Sequence, residues 1–146
     1  VANYKNIMYL PQTLKIRSTK TGLGLFTIPP LTKGTLIAKE QGYFIETRDK
    51  VSKFCIQISK LLFLDYIHHP HYLDFINHSC MPNMRYDTTH LAFYAVMDIP
   101  EHAELTYDYD TTESDLTLDG SDFVCVCDSV KCRKYIAGYS RNSEIN

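Results

Sequence analysis

The run Asp74 to Asn83, DFINHSCMPN, sets the tightest constraint on how this 146-residue chain can fold. An amide, an imidazole, a hydroxyl and a thiol fall on four consecutive residues, Asn77, His78, Ser79 and Cys80. Apolar Phe75 and Ile76 precede them and Pro82 follows. Such a run is costly to bury unless each polar group finds a partner. It reads as a site rather than as ordinary core, together with ELTYDY at Glu104 to Tyr109.

The chain is long enough for one domain with a real core. Its 45% hydrophobic and 22% charged content is ordinary for a globular protein. No apolar run approaches the roughly 18 residues of a membrane helix, and no secretory leader is expected. Net charge is −2, unevenly spread: Tyr86 to Val130 holds eleven acidic residues and no Lys or Arg. That segment is either a solvated acidic surface or a face that attracts a cationic peptide. No basic stripe interleaved with aromatics appears, so direct nucleic-acid binding is not expected.

Five cysteines, Cys55, Cys80, Cys125, Cys127 and Cys132, include a C-x-C-x4-C cluster. An odd count with that cluster fits a metal site better than a disulfide framework. A metal site of thiolates implies a reducing intracellular compartment, nucleus or cytoplasm.

Taken in order, Asn3 to Pro11 is weakly patterned and reads as an extension or partner-facing segment. Leu14 to Arg17 alternates like a short strand. In KTGLGLF, Gly22 and Gly24 flank Leu23, and a second strand runs on through Thr27 and Ile28. Pro29 and Pro30 follow, so this G-x-G does not open a helix as a dinucleotide fingerprint would. A hairpin turn and a close backbone approach to a ligand both remain open. Further strands are expected at Thr35 to Ala38, Gly42 to Ile45, Phe54 to Ser59, Leu61 to Tyr66, His90 to Ile99 and across ELTYDY. HHPH, His68 to His71, reads as a loop because of Pro70. Asp110 to Gly120 reads as an exposed loop. Tyr135, Ile136 and Tyr139 are anchors after the cysteine cluster. Many short strands and no convincing long helix indicate a mainly β protein.

GLGLF, FINHSCMPN, ELTYDY and CVCDSVKC stand in the order and spacing of the SET-domain protein-lysine methyltransferases that carry a post-SET cysteine motif, and from roughly Leu14 to Tyr139 the chain resembles that family. The resemblance implies a fold of small β-sheets with a knot-like crossing near the C-terminal end. It also implies a zinc-bound post-SET segment. The expected division is an N-terminal extension at 1–13, the SET domain at 14–110, a loop at 111–122, the post-SET motif at 123–139 and a tail at 140–146.

The implied activity is methyl transfer from S-adenosylmethionine to a lysine side chain, leaving S-adenosylhomocysteine (SAH). The amine must be neutral to attack, yet free lysine has a pKa of roughly 10.4. A narrow aromatic channel and a nearby sulfonium both lower it, and aromatic walls align the reacting atoms. Eleven tyrosines and seven phenylalanines supply wall material.

By position, Tyr109 resembles the family's catalytic tyrosine. Tyr107 resembles the Phe/Tyr position that tunes methyl number, and a tyrosine there implies mono- or dimethylation. Gly22, Leu23 and Gly24 resemble the cofactor-approaching turn, and Asn77 and His78 the cofactor-contacting pair. Cys125, Cys127 and Cys132 resemble the post-SET zinc ligands with Cys80 as the fourth, a closed tetrahedral set. Cys55 is left over as a small apolar residue. The implied partner is a protein or peptide with a target lysine, such as a histone tail, lying extended beside an edge strand. No membrane partner is implied.

Some positions depart from the family pattern. Asp74 stands where many members have arginine, and Asp128 and Lys134 replace glycines. Tyr43 is the candidate for the family's early tyrosine. The stretch from Ile45 to Tyr72 is short for the insert that shapes the peptide groove. A non-catalytic SET module that binds cofactor or peptide is the alternative. A purely structural zinc module would leave GLGLF and ELTYDY without a role.

Overall fold

The computed structural model describes residues 10–50, 55–65 and 72–141. The extension as far as residue 9, Phe54, the His68–His71 loop and most of the tail lie outside the described residues. Within them the chain is built from twelve short strands and four 3-10 turns.

Strands β1 (Leu14–Thr19) and β2 (Gly22–Thr27) form an antiparallel hairpin in register from Leu14 with Thr27 to Thr19 with Gly22. Its turn is Lys20-Thr21, and Gly22 leaves the turn at φ +124°, a region that side chains disfavour. GLGLF is therefore a strand leaving a hairpin turn, not the turn itself. A three-stranded sheet in the order β3–β9–β8 joins β3 (Leu36–Lys39), β9 (Ala92–Ala95) and β8 (Met84–Asp87). A second, in the order β4–β6–β5, joins β4 (Tyr43–Ile45), β6 (Leu62–Asp65) and β5 (Ile56–Ser59). Strands β11 (Phe123–Val124) and β12 (Tyr135–Ile136) form a small ribbon around the C-terminal cysteine cluster.

The β9–β8 pair differs most from the sequence reading. The strand expected over His90 to Ile99 is confined to Ala92–Ala95. Asp87 Oδ1 accepts the Thr89 and His90 N–H groups, and Leu91 sits at φ +52°, so the residues before Ala92 are spent on a tight turn. That turn joins β9 to β8, which was not expected; its signal, buried Met84 and Tyr86 two apart, is only four residues long.

The fold turns on a crossing. Strand β7 (Asn77–His78) pairs in parallel with β10 (Thr106–Tyr107), Asn77 beside Thr106 and His78 beside Tyr107. On the other side, the Thr27 N–H donates to the Ala103 carbonyl at 3.0 Å and the Leu105 N–H to the Leu25 carbonyl at 2.8 Å. The segment Ala103–Tyr107 is thus threaded between β2 and β7, neither of which adjoins it in the chain. This is the knot-like crossing that the resemblance implied.

Asn83 secures it. Its Nδ2 donates to the Glu104 carbonyl at 2.7 Å, and its Oδ1 accepts the Thr106 N–H at 2.9 Å. One side chain therefore satisfies the carbonyl and the N–H that flank Leu105, which is fully buried. Leu25, Ile76, Phe93 and Ile99 belong to the same core.

ELTYDY does not continue as a strand. Asp108, extended at φ −88° and ψ 112°, caps a 3-10 turn at Tyr109–Thr111 and accepts the Asp110 N–H. The cap ends the strand and swings Tyr109 out of line with Tyr107. The segment after it is not simply an exposed loop either. Thr112, Glu113 and Leu116 are buried, and Asp115 caps a further 3-10 turn at Leu116–Leu118. Ile136 is fully buried as an anchor, whereas Tyr135 and Tyr139 are exposed.

Replacing Asn83 by Ala leaves a carbonyl and an N–H of the crossing without partners. The expected loss is about 2 kcal/mol of unfolding free energy, read from urea denaturation of both proteins. An unchanged midpoint would show that the crossing does not depend on this side chain.

Candidate active site

Two cavities lie on either side of the crossing. The larger, about 520 Å³, is walled by the β1–β2 turn at Thr19–Thr21, by Asn77 and His78, and by Phe123 to Cys127 of the C-terminal cysteine segment. The smaller, about 240 Å³, is walled by Tyr107, Phe93, Ile76 and Leu116 together with Arg48 and several carboxylates. Tyr109 and Phe123 belong to the walls of both.

An aromatic chain runs between them. Phe93 and Tyr107 ring centroids are 5.2 Å apart, and Tyr107 and Tyr109 are 4.9 Å apart. Tyr109 then meets His78 and Phe123 edge-on at 5.4 and 5.9 Å. The Tyr109 hydroxyl donates to the Ile76 carbonyl at 2.7 Å. Burial holds both the Tyr107 and Tyr109 phenols well above their ordinary range, so both are neutral at physiological pH.

Asn77 reaches back to the hairpin. Its Nδ2 donates to the Leu23 carbonyl at 3.1 Å and to Glu104 Oε1 at 2.7 Å. Gly24 allows this approach: a Cβ there would lie 2.5 Å from Glu104 Oε1 and 3.0 Å from Asn77 Nδ2. The larger cavity itself is faced by Thr19, Lys20 and Thr21, whereas Gly22, Leu23 and Gly24 are not in its wall. Tyr43 is 63% exposed on β4 and lines neither cavity.

His78 is buried, and its pKa is held down to about 4, chiefly by burial, although Asp108 opposes the shift. Its Nδ1 accepts the Tyr109 N–H at 3.2 Å, so the neutral ring carries its proton on Nε2, 3.2 Å from Cys80 Sγ. A hydrogen bond of this kind orients and stabilises a metal-binding thiolate.

The sulfur atoms of Cys80, Cys125, Cys127 and Cys132 all lie within 4.8 Å of one another. Tetrahedral zinc with Zn–S bonds of about 2.3 Å sets its sulfurs about 3.8 Å apart, and Cys80 Sγ and Cys125 Sγ are 3.8 Å apart. The donor set fits structural zinc. Cys55 is buried apart from this cluster, its thiol pushed up to about 12 mainly by burial.

Three features went unread in the sequence. Arg133, next to Cys132, grips both oxygens of Asp108 at 2.8 and 2.6 Å and reaches Asp110 at 3.0 Å. Asp108 therefore ties the post-SET segment to the crossing as well as capping Tyr109. Asp128 and Lys134, where the resemblance implied glycines, adopt φ +57° and +68°; Asp128 also pairs with Lys20 of the hairpin turn. Finally, much of the acidic segment is consumed internally. Besides these pairs, Glu113 and Asp119 meet Arg48, and Asp115 meets Arg141. The uneven charge is largely the chain's acidic half pairing with its basic half.

The SET domain family profile matches residues 22–110. The chain belongs to the SET-domain family. Histone-lysine N-methyltransferase, H3 lysine-9 specific KMT1 of Fusarium mangiferae is 42% identical over 77 residues, 42% of this chain and 22% of that protein. Histone-lysine N-methyltransferase 2D of Homo sapiens is 29% identical over 150 residues, 91% of this chain and 3% of that protein. A crystal structure of KRYPTONITE in complex with mCHG DNA and SAH matches this fold with a TM-score of 0.68 at 26% identity, covering 84% of this chain and 28% of that one. A second, with mCHH DNA, H3(1-15) peptide and SAH, matches at a TM-score of 0.64 and 25% identity, covering 89% and 31%. The SET chain spans less than a quarter of the length of the curated relatives it matches.

Elemental analysis of protein purified without chelator is expected to find one zinc per chain. Cys132→Ser should lower that stoichiometry, and chelation should lower the melting temperature. Protein that contains no metal, and whose melting does not respond to added zinc, would remove the metal reading.

Proposed function

We propose that this SET domain is the catalytic module of a protein-lysine N-methyltransferase acting on a histone or another basic protein segment. The observation that carries the reading is the meeting of two cavities at Tyr109 and Phe123. A two-substrate transfer needs its donor and acceptor sites to adjoin, and two cavities that share the Tyr109 and Phe123 walls support that reading.

S-adenosylmethionine, bound in the larger cavity, would supply a methyl group activated by its sulfonium. Asn77, His78 and Tyr109 would hold it, with the backbone of Gly22, Leu23 and Gly24 supporting Asn77 from behind. The smaller cavity takes the lysine. Its aromatic walls strip water from the side chain, lower the amine pKa and fix its line of approach. Neutral Tyr109 offers a fixed hydroxyl dipole where the two cavities join. Tyr107 narrows the space around the amine, consistent with one or two added methyl groups. Zinc on Cys80, Cys125, Cys127 and Cys132 would hold the segment that carries Phe123 in place.

The relatives named for histone methylation, and the H3 peptide in one structural neighbour, support a histone tail as substrate. They also support a nuclear, chromatin-associated role.

Methyl incorporation into mixed histones and into a soluble protein extract, followed by mass spectrometry, tests the proposal. Lysine methylation that falls by about a hundredfold or more in Tyr109→Phe is expected, and Tyr107→Phe should shift products toward higher methylation. Cofactor binding without any incorporation would favour a non-catalytic SET module.

A further inference from the structure

The smaller cavity is not purely aromatic. Glu40, Asp74, Glu113 and Asp119 line it along with Arg48. An aromatic channel accounts for binding a lysine stem, but not for where the ammonium proton goes before the amine attacks.

Among these carboxylates Glu113 is distinctive in how it is held. Its segment is clamped by backbone bonds on two sides. The Gln57 N–H donates to the Thr112 carbonyl at 3.0 Å, and the Tyr139 N–H donates to the Glu113 carbonyl at 3.0 Å. Gln57 Oε1 also accepts the Ser114 N–H at 2.9 Å. The residue is 8% exposed, so the fixed backbone leaves its side chain in the cavity wall shared with Tyr107 and Tyr109. Arg48 Nη1 donates to Glu113 Oε2 at 3.1 Å while its other nitrogen reaches exposed Asp119 at 3.6 Å. Glu40 is buried beside the Tyr86 phenol, whose pKa is raised mainly by burial and then by Glu40.

We infer that Glu113 is the proton acceptor for the substrate lysine. The inference rests on the lysine-methylation reading above. The ammonium N–H bond breaks, its proton goes to a Glu113 carboxylate oxygen, and the electron pair stays on nitrogen as a neutral amine. When the product leaves, the carboxylic acid returns the proton to water.

The electrostatics fit that task. Burial raises the Glu113 pKa to about 7; Arg48 pulls it down and Asp119 pushes it up. A base works best when its pKa lies near the operating pH. Among the other titratable walls, both tyrosines are held neutral, and the Cys55 thiol is pushed up to about 12 by burial. Asp74 enters the same wall from the 3-10 turn at Tyr72–Phe75.

A purely structural reading makes Glu113 only the partner of Arg48, and pH profiles separate the two. Methylation of histones by the full chain is measured from pH 6 to 9.5 for wild type, Glu113→Gln and Arg48→Met, with SAH binding and melting temperature as folding checks. Glu113→Gln keeps the size and an oxygen for Arg48. It is expected to lose about 100-fold in kcat/KM near pH 7.5 and to recover most of it by about pH 9.5, where free amine is more abundant. Wild type should show a rising limb near pH 7, and Arg48→Met should move that limb upward, because removing the cation raises the carboxyl pKa. A loss in Glu113→Gln that is equal at every pH, or an Arg48→Met limb that does not move, overturns the inference while leaving the methyltransferase intact. Wild-type protein with no activity at any pH overturns the underlying reading and the inference with it.

Discussion

Everything in this domain depends on the backbone of Ala103–Tyr107 being fully hydrogen-bonded inside the protein. A segment threaded between two others has no access to water, so an unpaired carbonyl or N–H there costs more than a surface bond would return. The solution is shared. β2 takes one edge, β7 takes the other, and Asn83 covers the gap where neither reaches. Those partners explain the dense polar run that follows Ile76. Asn77 braces the hairpin, His78 receives the Tyr109 N–H, the Ser79 N–H donates to Tyr107, and Asn83 closes the ladder.

The same crossing positions the chemistry. Tyr107 remains on the strand, and Tyr109 leaves it because Asp108 caps a turn between them. The two phenols therefore stack at a tilt of 44°, one deep in the smaller cavity and the other at the junction of both. Had the strand run on through Tyr109, period-two alternation would have put both rings on one face, and no side chain of this segment would stand between the cavities.

How much of this was legible beforehand follows from how local each cause is. The hairpin at Leu14–Thr27 and the absence of long helices are written in short-range alternation and turn residues. The cysteine grouping is written in spacing, although the fourth thiol, Cys80, enters only through the family pattern. The crossing is different: nothing in the alternation of ELTYDY says that its neighbours are β2 and β7, and only the resemblance implied it. Glu113 was hidden for a related reason. DTTESDLTLDG is polar enough to read as a solvated loop, and its burial comes from Gln57 and Tyr139, both distant in sequence. The acidic bias of that region was visible, but its pairing with Arg48, Arg133 and Arg141 requires the tertiary arrangement.

The post-SET segment links these parts energetically. It is fastened at three kinds of contact: the thiol cluster around Cys80, the Arg133 fork on Asp108, and the Lys20–Asp128 pair at the hairpin turn. The last is exposed and contributes little by itself; the first two are anchored on the crossing. Phe123 rides on this segment and walls both cavities. Any ligand that prefers the docked segment therefore stabilises it, and by linkage the docked segment binds that ligand more tightly. On the proposed function, a metal on the thiols, a cofactor in the larger cavity and a lysine in the smaller one would all meet this condition. Each should strengthen the others through the placement of one aromatic ring.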